Sequence, residues 1–439
     1  MTSKTSLDPF QLVHQDRVHS SVYTDPAIFD LEMDRIFGAG WVYVAHHSQL
    51  REPGSFLTNV VGRQPIILTR DMQGEFRAFF NRCTHRGALL CNEEEGSATG
   101  GFTCPYHGWL FDVAGSLRGV PFRGAYQDNP AKSRLYDLAP VPRLENYRGF
   151  LFVSLASEGP SLTSYLGAAT RVIDELLDRA PEGDIELRAG GHRYAYHGNW
   201  KFQMENVVDG YHPPFTHAST IGSSGQQLQR SYAATGYQLL LPDQNLYEAD
   251  AGALDNAQTH SFPNGHAYLS NVAGDHRGGE IVQRYWDLLR QRHGEERVAE
   301  LRSDMVLNAA LYPNLILRVT DNEHIRVARP VSVDYTEVYV WPISLKGAPE
   351  EMSTGIVQHS NVHTSATSFV QTDDLELFER CQQGMQARRP EWVYFRRGLE
   401  MEKPGQAPGE LVGRGTWEGP FRSQFAAWRA LMAEGGEVK

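Results

Sequence analysis

Two short segments each place a cysteine and a histidine within reach of one another: Cys83-Thr84-His85 and, after eighteen intervening residues, Cys104-Pro105-Tyr106-His107. A tight turn can aim one thiolate and one imidazole at a common centre, and two such turns brought together make a four-ligand Cys2His2 site. Two chemistries suit that set. Zinc would be held tetrahedrally by all four side chains in a structural site; a [2Fe–2S] cluster would take two cysteines on one iron and two histidines on the other. A pair of buried cysteines beside unrelated histidines is the bland alternative, and a mixed pair made twice counts against it. Cys91 and Cys381 have no matching histidine and read as small buried hydrophobes.

A second constellation runs from Glu205 to His217 and contains Asn206, Asp209, His212, Pro213, Pro214 and His217. Two histidines five apart diverge by roughly 140° on an ideal helix and cannot share an ion there. Pro213 and Pro214 are expected to interrupt the helix, so that the backbone turns enough for the imidazoles to converge. An iron that activates O2 needs open positions, which a two-histidine, one-carboxylate set leaves. The carboxylate must come from elsewhere, and Asp373-Asp374, entering a downstream helix, is the best source. Asp373 has the alternative of a helix N-cap, and spacing alone does not choose between the two aspartates.

These residues need a scaffold of more than one core, since 439 residues exceed what a single core usually supports. From Trp41 to about Leu155 the pattern is of short strands broken by glycine and proline (WVYVAH, SFLTNVVG, PIILTRD, FRAFFNRC, GFLFVSL). Ahead of it, Thr24-Asp25-Pro26 starts a helix in an N-terminal arm, residues 1–40. An all-β domain is expected over 41–158 and an α+β domain, with helices on an antiparallel sheet, over 159–439. Helical spacing marks SLTSYLGAATRVIDELLDRA, IVQRYWDLLRQRHGEERVAELRSDMVLNAAL, DDLELFERCQQGMQ and RSQFAAWRALM; strand patterns mark LILRVT and HIRVARPVSVDYTEVYVWPI; KPGQAPGELVGRG reads as a loop. A formal charge of −12 argues against nucleic acid and anionic membranes as partners. The first residues lack the apolar run of a secretory leader and no stretch is long enough to span a bilayer, so the expected place is the cytoplasm.

Cys83-Thr84-His85-Arg86-Gly87 and Cys104-Pro105-Tyr106-His107-Gly108-Trp109 resemble the two cluster-binding loops of Rieske domains. With the Asn-x-x-Asp-x-Tyr-His-x4-His element at 206–217 and the late Asp-Asp pair in the same order, the chain resembles the α subunits of Rieske non-haem iron ring-hydroxylating oxygenases from about residue 20 to its end. The resemblance implies a [2Fe–2S] cluster on Cys83, His85, Cys104 and His107, and a helix-grip-like catalytic domain. It implies a mononuclear Fe(II) on His212, His217 and Asp374, with Asn206 and Asp209 in catalytic positions and Asp209 bridging a Rieske histidine to an iron-site histidine. It also implies O2 and an aromatic ring as substrates and a homotrimer, sometimes α3β3. Electrons would come from a reductase or ferredoxin; NAD(P)H would be bound by the reductase, because no G-x-G-x-x-G follows a strand here. The stretches YTDPAIFDLEMDRIF, GWVYVAHHSQL, IRVARPVSVDYTEV and TDDLELFERCQQG look most like the benzoate, toluate and anthranilate branch, so an aromatic carboxylate is the implied substrate. Arg326 and Arg318 are the candidate cations for its acid group, at most one of them expected to point inward. Arg318 stands where that branch leads one to expect an apolar residue; it either meets a second acidic group or faces solvent on an edge strand. A Rieske monooxygenase or demethylase would use the same ligands, and an electron carrier would lack the second iron.

Overall fold

A computed structural model of the chain describes residues 8–187, 191–218, 251–270, 279–303, 305–320 and 323–433. The first seven residues, part of the segment read as having no secretory leader, lie outside them. The chain folds as two compact units, 32–162 and 1–31 with 163–435, so the divisions fall at 31/32 and 162/163. No helix among the described residues is long and apolar enough to cross a membrane.

The helix α1 (Pro26–Arg35) starts where a capping residue followed by proline would start it, with the Asp25 carboxylate accepting from the Ala27 N–H at 2.8 Å. The 32–162 unit is built of antiparallel strands: β1 (Val42–His46), β2 (Ser55–Val61), β3 (Gln64–Arg70), β4 (Phe76–Phe80), β5 (Glu95–Ser97), β6 (Phe102–Thr103), β7 (Leu110–Phe111), β8 (Leu117–Gly119), β9 (Arg143–Tyr147) and β10 (Phe150–Ser154). They pair as three small sheets, ordered β9-β10-β1, β4-β3-β2-β5 and β6-β7-β8. Phe56, Ile67, Phe79, Trp109 and Phe111 form a core that also takes in the side chains of Cys83 and Cys104. Both thiols therefore start from a dry, fixed base.

The other unit is organised by a ten-stranded antiparallel sheet. The elements that build this sheet and carry the site are, in chain order, α2 (Thr170–Asp178), β11 (Ile185–Leu187), β12 (His192–Tyr196), α3 (Lys201–Asn206), α4 (Pro213–Thr216), β13 (Gln258–Ser261), β14 (Ala267–Ser270), α5 (Glu280–Ser303), β15 (Val306–Leu311), β16 (Leu315–Arg318), β17 (His324–Ser332), β18 (Tyr335–Leu345), α6 (Glu350–His363), α7 (Phe369–Gly384), β19 (Lys403–Pro404), β20 (Leu411–Arg414) and α8 (Gly419–Ala433). The order is β11-β18-β17-β16-β15-β14-β13-β20-β19, with β12 also paired to β18. The strand β18 is long enough to take β11 and β12 end to end along one edge while pairing with β17 along the other. Helix α6 packs on β18 and α8 on β13, as expected of helices laid on one antiparallel sheet.

Three local expectations change. The stretch MVLNAAL, read as the end of a helix, is the strand β15, because α5 stops at Ser303 and the nearly continuous apolar run beyond it is buried in the sheet. KPGQAPGELVGRG is not simply a loop: its two ends are β19 and β20, which extend the sheet beyond β13. Cys381 is exposed on α7 rather than buried, whereas Cys91 is buried as expected.

Candidate metal centres

The loops that carry the first ligand set are one backbone turn made twice. In the loop after β4 the Gly87 N–H donates to the Cys83 carbonyl at 3.0 Å and the Cys83 N–H to the Ala88 carbonyl at 2.8 Å; in the loop after β6 the Gly108 N–H donates to the Cys104 carbonyl at 2.9 Å and the Cys104 N–H to the Trp109 carbonyl at 2.8 Å. Each turn closes through a glycine in the left-handed region, φ +74° at Gly87 and +68° at Gly108, a conformation that costs any other residue about 1–2 kcal/mol. The histidine falls one place later in the second turn than in the first. The rings of His85 and His107 nevertheless come within 4.6 Å, centroid to centroid, and His85 stacks flat on Trp109 at 4.7 Å.

The two turns thus set the thiols of Cys83 and Cys104 beside each other and the imidazoles of His85 and His107 beside each other. Cys83 and Cys104 are buried, and burial, together with the neighbouring Cys104, pushes the Cys83 thiol up against the pull of the His85 and Arg86 backbone N–H groups. His85 Nδ1 is buried with no hydrogen-bond partner. Two facing thiols and an unsatisfied imidazole nitrogen suit a group that accepts all of them as ligands, and the exposure of His107 leaves one side open to a redox partner.

The second set is assembled from two separate pieces of the larger unit. Helix α3 ends at Asn206, and the chain breaks direction through Val207–Tyr211 before α4 begins. The break lies ahead of His212, not at the prolines: His212 is in helical geometry (φ −71°, ψ −34°), and Pro213 and Pro214 open the following turn, where proline is favoured because its missing N–H costs nothing there. His217 closes that turn. The carboxylate comes from α7, whose N-cap is Ser368, accepting from the Gln371 N–H at 3.0 Å. Asp373 is therefore no N-cap; it lies inside the helix, 3.6 Å from His217 Nδ1.

The ligand atoms of His212, His217 and Asp374 lie within 4.8 Å of one another. Asp374 Oδ1 is 3.3 Å from His217 Nε2 and 3.6 Å from His212 Nε2. The Asn206 amide sits against two of them, donating to Asp374 Oδ1 at 3.1 Å and lying 3.1 Å from His212 Nε2. On the outer side of His212, Nδ1 is 3.2 Å from Asp209 Oδ2, while Asp209 Oδ1 accepts from the Tyr211 N–H at 2.7 Å. Burial alone would raise the Asp374 pKa, but His217, His212 and Arg326 outweigh it and hold the carboxyl below the ordinary range. Burial likewise opposes charge on His212, and Asp209 with Asp374 reverse that sign. A carboxylate kept ionised among imidazoles is the electrostatic signature of a cation site.

Of the candidate arginines, Arg326 lies near enough to this centre to act on Asp374. Arg318 on β16 pairs with His324, two residues before Arg326 on β17, so the two guanidinium-bearing chains leave the same face of the sheet. Arg318 is thus not turned to the opposite face from Arg326. Nor is β16 an edge strand, since it runs between β15 and β17. Arg318 is tied to the Thr320 carbonyl (3.1 Å) and Asn308 Oδ1 (3.0 Å), whereas Arg326 reaches His324 Nε2 (2.8 Å) and Gln371 Oε1 (3.3 Å). Sequence reasoning did not single out Gln371, the side chain that Arg326 reaches. The Gln371 signal was its place three residues before Asp374, one helical turn away on the same face.

Comparison with known proteins matches residues 184–414 to the family described as ring hydroxylating alpha subunit (catalytic domain) and residues 40–141 to the Rieske [2Fe-2S] domain. The chain is 36% identical to the toluate 1,2-dioxygenase subunit alpha of Pseudomonas putida, over 88% of this chain and 84% of that one. It is 33% identical to the anthranilate 1,2-dioxygenase large subunit of Acinetobacter baylyi, over 95% and 90%. Its fold matches the solved structure of naphthalene 1,2-dioxygenase from Rhodococcus sp. with a TM-score of 0.80 at 26% identity, covering 96% of this chain and 95% of the other. With both ligand sets lying inside the matched regions, the chain belongs to the Rieske non-haem iron ring-hydroxylating oxygenase α subunits, in the branch that holds the toluate and anthranilate dioxygenases.

Proposed function

We propose that the chain is the oxygenase component acting in the cytoplasm on an aromatic carboxylate, adding O2-derived oxygen to the ring with electrons from a separate reductase. The convergence of His212, His217 and Asp374, with an arginine-bearing sheet face beside them, carries this reading. The relatives named for toluate and anthranilate support the acid as substrate class. In this reading Cys83, His85, Cys104 and His107 hold a Rieske cluster, and His212, His217 and Asp374 hold Fe(II). Bound there, the cluster supplies single electrons and the iron, with open positions, supplies oxygen activation.

The remaining roles belong to the chain. Asn206 fixes the Asp374 carboxylate by its amide N–H, and partners of this kind typically raise metal affinity 10–100-fold or so. Asp209 orients His212 from its outer side and has acceptor capacity left for the partner subunit's His107 in a homotrimer, with or without a small β subunit. Arg326 or Arg318 meets the acid group. The test is metal analysis with turnover: three irons per chain, and NAD(P)H-dependent oxidation of benzoates with a reductase present, are expected. Two irons per chain would make the protein a carrier, and faster oxidation of neutral rings than of acids would remove the substrate class. Co-assembling Cys104→Ser chains with His212→Ala chains tests the bridge, since activity returns in mixed oligomers if electrons cross between subunits and stays absent if they travel within one chain.

A further inference from the structure

A polar corner of the larger unit lies one helical turn from Asp374, at the turn between α6 and α7. His192 and Arg326 flank Val340 from the two strands beside β18, so they share one face of the sheet, two strand spacings or roughly 10 Å apart at the backbone. Both reach the same turn: His192 Nε2 is 2.8 Å from the Thr364 carbonyl, and Arg326 Nη1 is 3.3 Å from Gln371 Oε1. Gln371 is 1% exposed. Its Nε2 and His192 Nδ1 are both buried without a hydrogen-bond partner. Buried polar atoms are rarely left so, and each points to something that completes it.

The chemistry of the two orphan atoms is opposite. Gln371 Oε1 accepts from Arg326, so Nε2 offers N–H groups beside a guanidinium. The Thr364 carbonyl only accepts, so His192 Nε2 carries the ring proton and Nδ1 offers a lone pair. Burial holds His192 below the ordinary histidine range despite Thr364, with Arg326 acting in the same direction, so the ring is neutral near pH 7. A plain aromatic carboxylate satisfies the donors and leaves Nδ1 bare. An acid with an N–H or O–H group on its ring satisfies both.

We propose that this corner recognises an aromatic acid carrying an amino or hydroxyl group, with Arg326 and Gln371 holding the carboxylate and His192 Nδ1 accepting from the ring substituent. The proposal rests on the aromatic-acid reading above and narrows it. It also distinguishes the arginines, since Arg326 reaches Gln371 whereas Arg318 is held by Asn308 and the Thr320 carbonyl.

Calorimetric binding to the anaerobic holoenzyme without reductase separates the possibilities, because no turnover is needed. The probes are benzoate, 2-aminobenzoate, 2-hydroxybenzoate and aniline, against the native protein and the Arg326→Met, Arg326→Lys and His192→Leu variants. Loss of a charge-assisted fork weakens all three acids roughly 10–100-fold in Arg326→Met and leaves aniline unchanged, with Arg326→Lys in between. His192→Leu weakens the amino and hydroxy acids by about fivefold or more and leaves benzoate unchanged. Acids that bind the native protein no better than aniline would overturn the aromatic-acid reading itself. Acids that bind tightly but equally to Arg326→Met would overturn the anchor and leave that reading standing. Equal binding of benzoate and its amino and hydroxy derivatives, unmoved by His192→Leu, would overturn the role of His192.

Discussion

The two ligand sets are built on opposite plans. In the smaller unit four ligands come from two copies of one turn, each fixed by its own backbone hydrogen bonds. In the larger unit two candidate ligands flank the turn α4 and the third comes from the distant helix α7, so the distance of the carboxylate from the imidazoles depends on how those two elements are packed and on the Asn206 amide set against both. A locally closed site depends on its loops alone. A site assembled across the chain depends on the whole unit's fold, and it offers the neighbouring sheet face as a place for substrate.

The largest effect expected from this difference is clean separation of the centres. Asp374→Ala is expected to remove the mononuclear iron and bring turnover to background while the Rieske absorption and EPR signals stay, and Cys83→Ser to remove the Rieske signals and turnover while the mononuclear iron stays. Asp373→Ala should cost about tenfold at most, as a neighbour of His217 rather than a ligand. Loss of both centres on either substitution would show that they are not independent. Next in size, His107→Cys should lower the cluster potential by a few hundred mV, read by redox titration, because an anionic thiolate replaces a neutral imidazole; the iron content of the larger unit should not move.

A third effect belongs to the larger unit's fold. His266 is fully buried between the Tyr165 carbonyl and the Tyr312 N–H, 3.0 Å from each, and burial brings its pKa down to about 4 although Tyr165 opposes this. The unfolded chain binds a proton near pH 6.5 that the folded one refuses, so this group's stabilisation is present above about pH 6.5 and is lost as pH falls towards 4. The full loss is roughly 3 kcal/mol. Urea unfolding of the larger unit should weaken over that window, and His266→Gln should flatten the slope. The smallest effect tests the local plan: Gly87→Ala and Gly108→Ala should each cost about 1–2 kcal/mol in the smaller unit, whereas Gly119→Ala, with open space at its Cβ, should lie within about 0.5 kcal/mol of the parent protein by thermal unfolding.

How much was legible follows the same division. The cysteine–histidine pairs stood out because the turn that aims them is encoded within six residues, glycine included. For His212 and His217 the spacing required a break, and proline marked the neighbourhood; the chain bends earlier, near Asp209 and Gly210, where a glycine signals a bend that the two prolines overshadowed. Asp374 could be told from Asp373 only by resemblance, since the helix start at Ser368, which fixes the face each presents, lies before the stretch that carried a helical pattern. His192 and Arg326 share a sheet face through strand register, which no spacing along the chain reveals, and Arg326 then reaches Gln371 on α7.

The duplicated turn also bears on speed. A site that passes electrons works fastest when its ligands hardly move between charge states, because every displaced atom adds reorganisation energy to the barrier. Each turn here is closed by a pair of main-chain bonds, Gly87 to Cys83 and Cys83 to Ala88, Gly108 to Cys104 and Cys104 to Trp109, none of which involves a ligand atom. The stacking of His85 on Trp109 ties the ring of one turn to the end of the other. The thiol and imidazole positions are thus set by the polypeptide itself, so little nuclear motion remains to be made when the charge changes.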